Sequence, residues 1–261
     1  RGAIFRRAAD LLTRRRNEFA ALEVCEAGIP WAEAQADVAE AVDYLRYYSF
    51  EAERLEKGVR FQGEIPGEIN SGFFRPRGVA AVISPWNFPL AIPAGQTTAA
   101  LAAGNCVVFK PAEQTPLIAY WWCCLLWESG IPKNVLQFLP GIGEEVGPVL
   151  VEHPGVDIVA FTGSRAVGEA IIKRAAEKLS PGGPKRVIAE MGGKNAVIVD
   201  SDADFDLAIS ECLRAAFDYA GQKCSALSRL ILMNDIYDGF LNRFAEAAKT
   251  YPIGPAEIPG A

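Results

Sequence analysis

The stretch AGQKCSALSR, residues 220–229, sets Cys224 between Lys223 and Ser225, with small or flexible neighbours on both sides. A structural cysteine belongs more naturally in an apolar run, as Cys106 does in NCVVF. A thiol on a permissive loop can meet an electrophile, and an adjacent lysine favours its thiolate. Two other segments carry groups that could assist it. In ISPWNFPL (83–90) two prolines stiffen a turn around Trp86 and Asn87, and a rigid amide suits an oxyanion that develops during reaction. The alternative is that Asn87 caps the helix that follows. In VIAEMGGKNAVIVD (187–200) Glu190 ends an apolar strand before Gly192 and Gly193. A carboxylate leaving a hydrophobic strand has reason to carry a raised pKa, as a general base needs. Its bland reading is a turn glutamate paired with Lys194.

Two further segments suit a phosphorylated ligand. FTGSRAVGEAI (161–171) closes a strand with Thr-Gly-Ser and opens a helix. Free N–H groups and the helix dipole there attract an anion, Gly163 permits close approach, and the Ser164 hydroxyl can donate. The spacing is neither G-x-G-x-x-G nor a Walker loop, and any α/β turn can carry a glycine and a capping serine. CVVFKPAEQTP (106–116) places Lys110 and Glu113 in one strand-exit loop. Together they could hold two ribose hydroxyls, and the carboxylate would repel a 2′-phosphate, favouring NAD over NADP. Otherwise they form a solvated ion pair. Thr115 is expected to cap the next helix in either case.

These loops need strands and helices to place them. Apolar positions from Ile4 to Leu22 recur near the helical period until AGIP ends the run, and a second helix follows over about 31–56. Gly and Pro then break helicity through GVRFQGEIPGEINSGFFRPRG. From Val79 onward, short apolar runs alternate with helical segments, which argues a doubly wound α/β architecture around a mostly parallel sheet.

With 261 residues, half of them hydrophobic, the chain can bury a full core. Net charge is −6 and no basic stripe interleaves with aromatics, so nucleic acid is not an expected partner. No apolar stretch reaches the ~18 residues of a membrane span, and no signal-peptide pattern opens the sequence. The six cysteines lack C-x-x-C spacing, which points to a reducing compartment, the cytoplasm. Adjacent Cys123 and Cys124 read as filling of a buried helix, and no metal site is expected. The single histidine, His153 before a Pro-Gly turn, reads as a helix end where it covers free carbonyls. Any Cys-His or Ser-His pair would have to use it.

Taken together and in order, SPWNFPL, GNCVVFKPAEQTP, FTGSRAVG, EMGGKN and GQKCSALSR resemble the aldehyde dehydrogenase superfamily. FQGEIPGEINSGFFRPRGVAAVISPWNFP, VDSDADFDLA and GQKCSALSRLIL are most similar to its 1-pyrroline-5-carboxylate (L-glutamate γ-semialdehyde) dehydrogenase subfamily. The resemblance implies a nucleotide-binding unit over 1–190 and the start of a second α/β unit over 191–261. The resemblance implies that Cys224 is the nucleophile, that Asn87 and the Cys224 N–H hold the oxyanion, and that Glu190 activates water. It implies NAD as cofactor, with Lys110 and Glu113 at the adenosine ribose, Gly163 and Ser164 at the pyrophosphate and Trp86 lining the cleft. Lys223 and Ser225 would serve the substrate, Ser225 by anchoring its α-carboxylate. The implied reaction is oxidation of L-glutamate γ-semialdehyde to L-glutamate in proline catabolism, by a homo-oligomer using part of a flap near 58–75. Family members run longer at both ends, so the resemblance also implies a fragment, from a parent either monofunctional or fused to a proline dehydrogenase. Two rivals stay open: a dehydrogenase for another aldehyde such as succinic semialdehyde, and a truncated non-catalytic dinucleotide-binding or assembly protein.

Overall fold

The computed structural model describes residues 1–258; the last three residues of the expected second unit, 259–261, lie outside the described residues. The chain opens with α1 (Gly2–Arg14) and α2 (Arg16–Ala27), where the periodicity predicts one helix. The break falls at Arg15, whose guanidinium lies over the rings of Phe19 and Trp121 at 5.5 and 5.2 Å. That tertiary anchorage is invisible to a local pattern. Gly28, at φ +65, ends α2 in the left-handed conformation a glycine adopts without strain. The long helix α3 (Trp31–Glu56) follows, as expected. An antiparallel hairpin, β1 (Val59–Gln62) with β2 (Ile69–Gly72), occupies the Gly/Pro-rich region and leaves Phe61, Phe73 and Phe74 exposed.

The alternating region then runs β3 (Val79–Ile83), α4 (Ala91–Ala102), β4 (Cys106–Lys110), α5 (Pro116–Glu128), β5 (Leu136–Phe138), α6 (Gly143–Glu152), β6 (Ile158–Gly163) and α7 (Arg165–Glu177). A two-residue ladder, β7 (Leu179–Ser180) with β8 (Gly183–Pro184), leads into β9 (Arg186–Met191). The strands form one parallel sheet in the order β5-β4-β3-β6-β9. Helices cover both faces. On one side Phe5, Leu12, Leu45, Trp122 and Leu126 pack against Val82, Phe109 and Leu136. On the other, Val151 and Ile171 pack against Ala81, Val159 and Phe161. This is the doubly wound α/β fold. The chain winds outward from β3 to β5, then returns to place β6 on the other flank of β3. The loops after β3 and β6 therefore diverge and open a crevice at the carboxyl ends of the strands, where such sheets bind ligands.

Beyond β9 come β10 (Asn195–Val199), α8 (Phe205–Phe217), β11 (Leu227–Leu232) and α9 (Tyr237–Lys249). β10 and β11 form their own parallel pair, with a separate small core of Val199, Ile209, Leu213 and Phe240. The nucleophile candidate lies on the loop between α8 and β11.

At three helix ends where the sequence offers a cap, Asn87 only as the alternative to an oxyanion role, distant side chains take its place. Thr115 sits at the N-cap position of α5 without capping it; Glu26 of α2 instead accepts from the Leu117 and Ile118 N–H groups at 2.7 and 2.8 Å. Asn87 does not cap α4, because Asp37 of α3 accepts from the Leu90 and Ala91 N–H groups at 3.2 and 3.1 Å. His153 does end α6, but its Nδ1 accepts from the Gly155 N–H at 3.0 Å. The Lys185 ammonium covers the last carbonyls instead, donating to Val151 and His153 at 2.7 and 2.6 Å.

Candidate active site

A cleft of about 970 Å³ lies at the carboxyl end of the sheet, and its walls come from the loops after β3, β4, β6, β9 and α8. Trp86, Asn87, Lys110, Glu113, Gly163, Ser164, Lys223 and Cys224 all line it. Segments far apart in sequence thus share one cavity because parallel strands deliver all their carboxyl ends to one edge.

At one end stands the Lys110–Glu113 pair. Lys110 is the last residue of β4 and only 3% exposed. Its ammonium donates to the Pro111 carbonyl at 2.9 Å and to Glu113 at 3.2 Å. The pair is therefore not a solvated one: the cation is buried and only the carboxylate reaches solvent. The Glu113 carboxyl is held below its ordinary range, first by its own backbone N–H and then by Lys110. Gly143, opening α6, faces both groups, and a Cβ there would stand 3.8 Å from each. Sequence reasoning passed over Gly143; the only signal was a glycine at a helix start.

Midway, Gly163 and Ser164 mark the β6–α7 junction. Ser164 caps α7, its Oγ accepting from the Val167 N–H at 3.4 Å, which leaves the hydroxyl proton to donate elsewhere. Gly168 lets α7 lie close on β9, since a Cβ there would come within 2.7 Å of the Met191 sulfur.

At the far end is Cys224, exposed on its loop and not packed in the core. The Asn87 amide donates to the Gln222 carbonyl at 2.8 Å, joining the two loops. The other amide hydrogen of Asn87 has no acceptor among the described residues. The Cys224 N–H makes no hydrogen bond among the described residues. Asn195, at the start of β10, fixes the other side of the loop by donating to the carbonyls of Cys224 and Ala226 at 2.7 and 3.2 Å. Gly193 permits this approach, because a Cβ there would meet the Cys224 carbonyl at 3.3 Å. Neither Asn195 nor Gln222 had been singled out from the sequence, although Asn195 follows directly on GGK.

Three candidates stand differently from expectation. The Lys223 ammonium is engaged by Glu33 of α3 at 2.6 Å. Glu190 lies opposite Thr162 in the β6–β9 register, but β9 is an edge strand and the side chain is exposed. The apolar run therefore does not bury this carboxylate, and it is the following residues, Met191 and Gly192, that line the cleft. Ser225 is exposed beside Cys224, outside the cleft wall.

Comparison with known proteins identifies the family to which this fold belongs. The profile of the aldehyde dehydrogenase family matches residues 1–260. A 1-pyrroline-5-carboxylate dehydrogenase of Geobacillus thermodenitrificans is 51% identical over 98% of this chain and 50% of its own length. Among solved structures, proline utilization A from Bdellovibrio bacteriovorus, inactivated by N-propargylglycine, superposes with a TM-score of 0.96 at 50% identity, over 100% of this chain and 27% of that one. A 1-pyrroline-5-carboxylate dehydrogenase from Thermus with bound NAD gives 0.93 at 44% identity, over 98% of this chain and 50% of that one. The chain spans about half the length of the curated relatives it matches. Fold, cleft and a family match running along nearly every residue lead to one conclusion: the chain belongs to the aldehyde dehydrogenase family.

Proposed function

We propose that the complete protein carrying this chain oxidises L-glutamate γ-semialdehyde to L-glutamate with NAD. The observation that carries this reading is the single cleft joining a buried Lys110–Glu113 pair and a helix N-terminus to an exposed Cys224 beside Asn87. The relatives named for 1-pyrroline-5-carboxylate dehydrogenase support the substrate.

The cleft suits a dinucleotide. A lysine only 3% exposed, with a carbonyl and one carboxylate as its partners among the described residues, is poised to donate to a ribose hydroxyl. Glu113 would accept from the neighbouring hydroxyl, and the glycine at 143 leaves room beside both. The Ser164 hydroxyl and the α7 N-terminus would take the pyrophosphate. When bound, NAD supplies the hydride acceptor.

The residues of this chain then act in sequence. The Cys224 thiolate adds to the aldehyde carbon, and the carbonyl electron pair moves onto oxygen. The Cys224 N–H and the other Asn87 amide hydrogen hold that oxyanion, and such donors work because they are fixed before charge appears. The oxyanion collapses as the former aldehyde hydrogen leaves with its electron pair, and a thioester remains on Cys224. Glu190 takes a proton from water, the water oxygen attacks the thioester, and Cys224 departs as thiolate. Ser225 would donate to the substrate α-carboxylate, with Lys223 holding the loop beside it.

We read residues 1–190 as the NAD-binding unit and 191–261 as the start of the catalytic one, supported by their separate sheets and cores. We also read the exposed β1–β2 hairpin as a contact between copies of the protein, supported by its uncovered phenylalanines. Six free cysteines support a cytoplasmic site of action. The decisive experiment is turnover of an aldehyde panel by the full-length protein with NAD and NADP. Glutamate γ-semialdehyde with NAD should give the highest kcat/KM; faster turnover of uncharged aldehydes overturns the substrate.

A further inference from the structure

Both reaction loops are tied to one side of α3. Glu33, in its first turn, pairs with Lys223, the residue before Cys224, at 2.6 Å. Asp37 lies one turn further on, and residues four apart in a helix stack on the same side. Its carboxylate holds the first N–H groups of α4 at Leu90 and Ala91, three residues past Asn87.

Asp37 is 2% exposed and lies beside Glu23 of α2, which is fully buried and whose carboxyl oxygens have no hydrogen-bond partner among the described residues. An acidic pair removed from water is costly. Tyr219 faces the same pair from the nucleophile loop. It is buried at φ +54, a conformation that costs a non-glycine residue energy and persists only when its surroundings hold it. The Tyr219 ring meets Phe88 edge-on, with centroids 6.3 Å apart. Asn87 and its neighbour Phe88 thus touch the nucleophile loop, while Asp37 fixes the helix into which their segment runs.

We propose that Glu33 and Asp37 form a two-point clamp on α3 that sets the spacing between the two loops, Asp37 as the positioning residue for Asn87 and Glu33 as that for Cys224. The inference rests on the roles given above to Cys224 and Asn87. It assigns work to α3, which lies outside the catalytic wall. A donor displaced by about 1 Å loses much of its effect, on the order of 10²-fold in rate.

The test is a double-mutant cycle in the full-length protein, read as kcat alongside the dissociation constant of NAD. Asp37→Ala should lower kcat by about 10- to 100-fold while NAD affinity stays within about twofold. Asp37→Asn should restore kcat to within about threefold of wild type, because its carbonyl accepts from the same two N–H groups. Added to Asn87→Ala, Asp37→Ala should cost less than about threefold more, since the amide it aims is already gone. A folded Asp37→Ala protein with wild-type kcat, or one that repeats its full loss on the Asn87→Ala background, overturns the clamp. Should Asp37→Ala not fold, Glu33→Gln decides: alkylation of Cys224 by iodoacetamide should change several-fold in rate with NAD binding intact, and an unchanged rate overturns the proposal. Failure of the underlying reading shows separately. Wild-type protein would form no NADH from aldehyde, or Cys224→Ala would still form it, and the clamp falls with it.

Discussion

The side-chain amide of Asn87 donates to the main-chain carbonyl of Gln222 at 2.8 Å, across 135 residues of sequence. Gln222 is two residues before Cys224, so the bond holds the amide donor and the thiol loop in one frame. In the function proposed above, the hydrogen of Asn87 not used in this bond is the one that would meet the oxyanion.

Cys224→Ala should abolish dehydrogenation, a loss of more than about 10³-fold, while NAD binding stays within about twofold. Steady-state NADH formation and calorimetric NAD titration on the full-length protein separate the two. Loss of both together would identify Cys224 as a structural residue.

Glu190→Gln should slow thioester hydrolysis more than the step that forms NADH. Stopped-flow traces should then show a burst of NADH of about one equivalent per site, followed by a stall. An unchanged steady rate would remove Glu190 from the role of base.

The Lys110–Glu113 pair should govern cofactor choice. Lys110→Ala should weaken NAD by about tenfold, the loss of a charge-assisted hydrogen bond. Glu113→Gln should raise kcat/KM with NADP relative to NAD, because it removes the charge that repels a 2′-phosphate. Equal ratios in wild type and variant would exclude Glu113 from that role.

Glu26→Ala should destabilise the protein by about 1–2 kcal/mol, the value of a lost helix cap. Thr115→Ala should change stability by less than about 0.5 kcal/mol, since Thr115 bonds no N–H of α5. Thermal unfolding of the two variants reports the difference. Equal losses would mean that Thr115 shares the cap.

Stability should fall between pH 4 and pH 7 through the carboxyls beneath the two loops. Burial is the main cause that pushes the Asp37 carboxyl up from 3.8 to about 7, opposed by the Ala91 and Leu90 N–H groups and raised further by Glu40. Burial and the Asp37 charge also hold the Glu23 carboxyl well above its ordinary range. Glu33 and the Tyr219 hydroxyl face the same pocket. The folded chain therefore keeps protons that the unfolded chain has released, so stability is full below about pH 4 and declines as pH rises through about 7. Asp37→Asn should flatten that decline in denaturant titrations. An unchanged slope would place the sensitivity elsewhere.

Most of the secondary structure was legible because its signals are local. The period of Phe5, Ala8 and Leu12, the five-residue run VAAVI and the turn residues between elements each lie within one stretch of chain. The motif loops fell at strand exits, and Cys224 is exposed as its small neighbours suggested. Where reading failed, the partner came from far away. The cap expected of Thr115 and the alternative cap at Asn87 belong to Glu26 and Asp37, and the carbonyls assigned to His153 are covered by Lys185. A capping residue read from sequence is only the nearest acceptor, whereas a buried helix end is satisfied by whichever acceptor the fold brings to it. Glu190 shows the same limit for burial. An apolar run looks identical in a central and an edge strand, yet only the central one is covered on both flanks.

By itself the sequence determined which residues could react and which elements end beside them, because residue chemistry and helical or strand period are properties of adjacent positions. Only the tertiary structure decided that β3 would stand between β4 and β6, that Asn87 would reach Gln222, and that α3 would hold both loops. Those are distances between remote segments, and they exist only once the sheet has set the order of its strands.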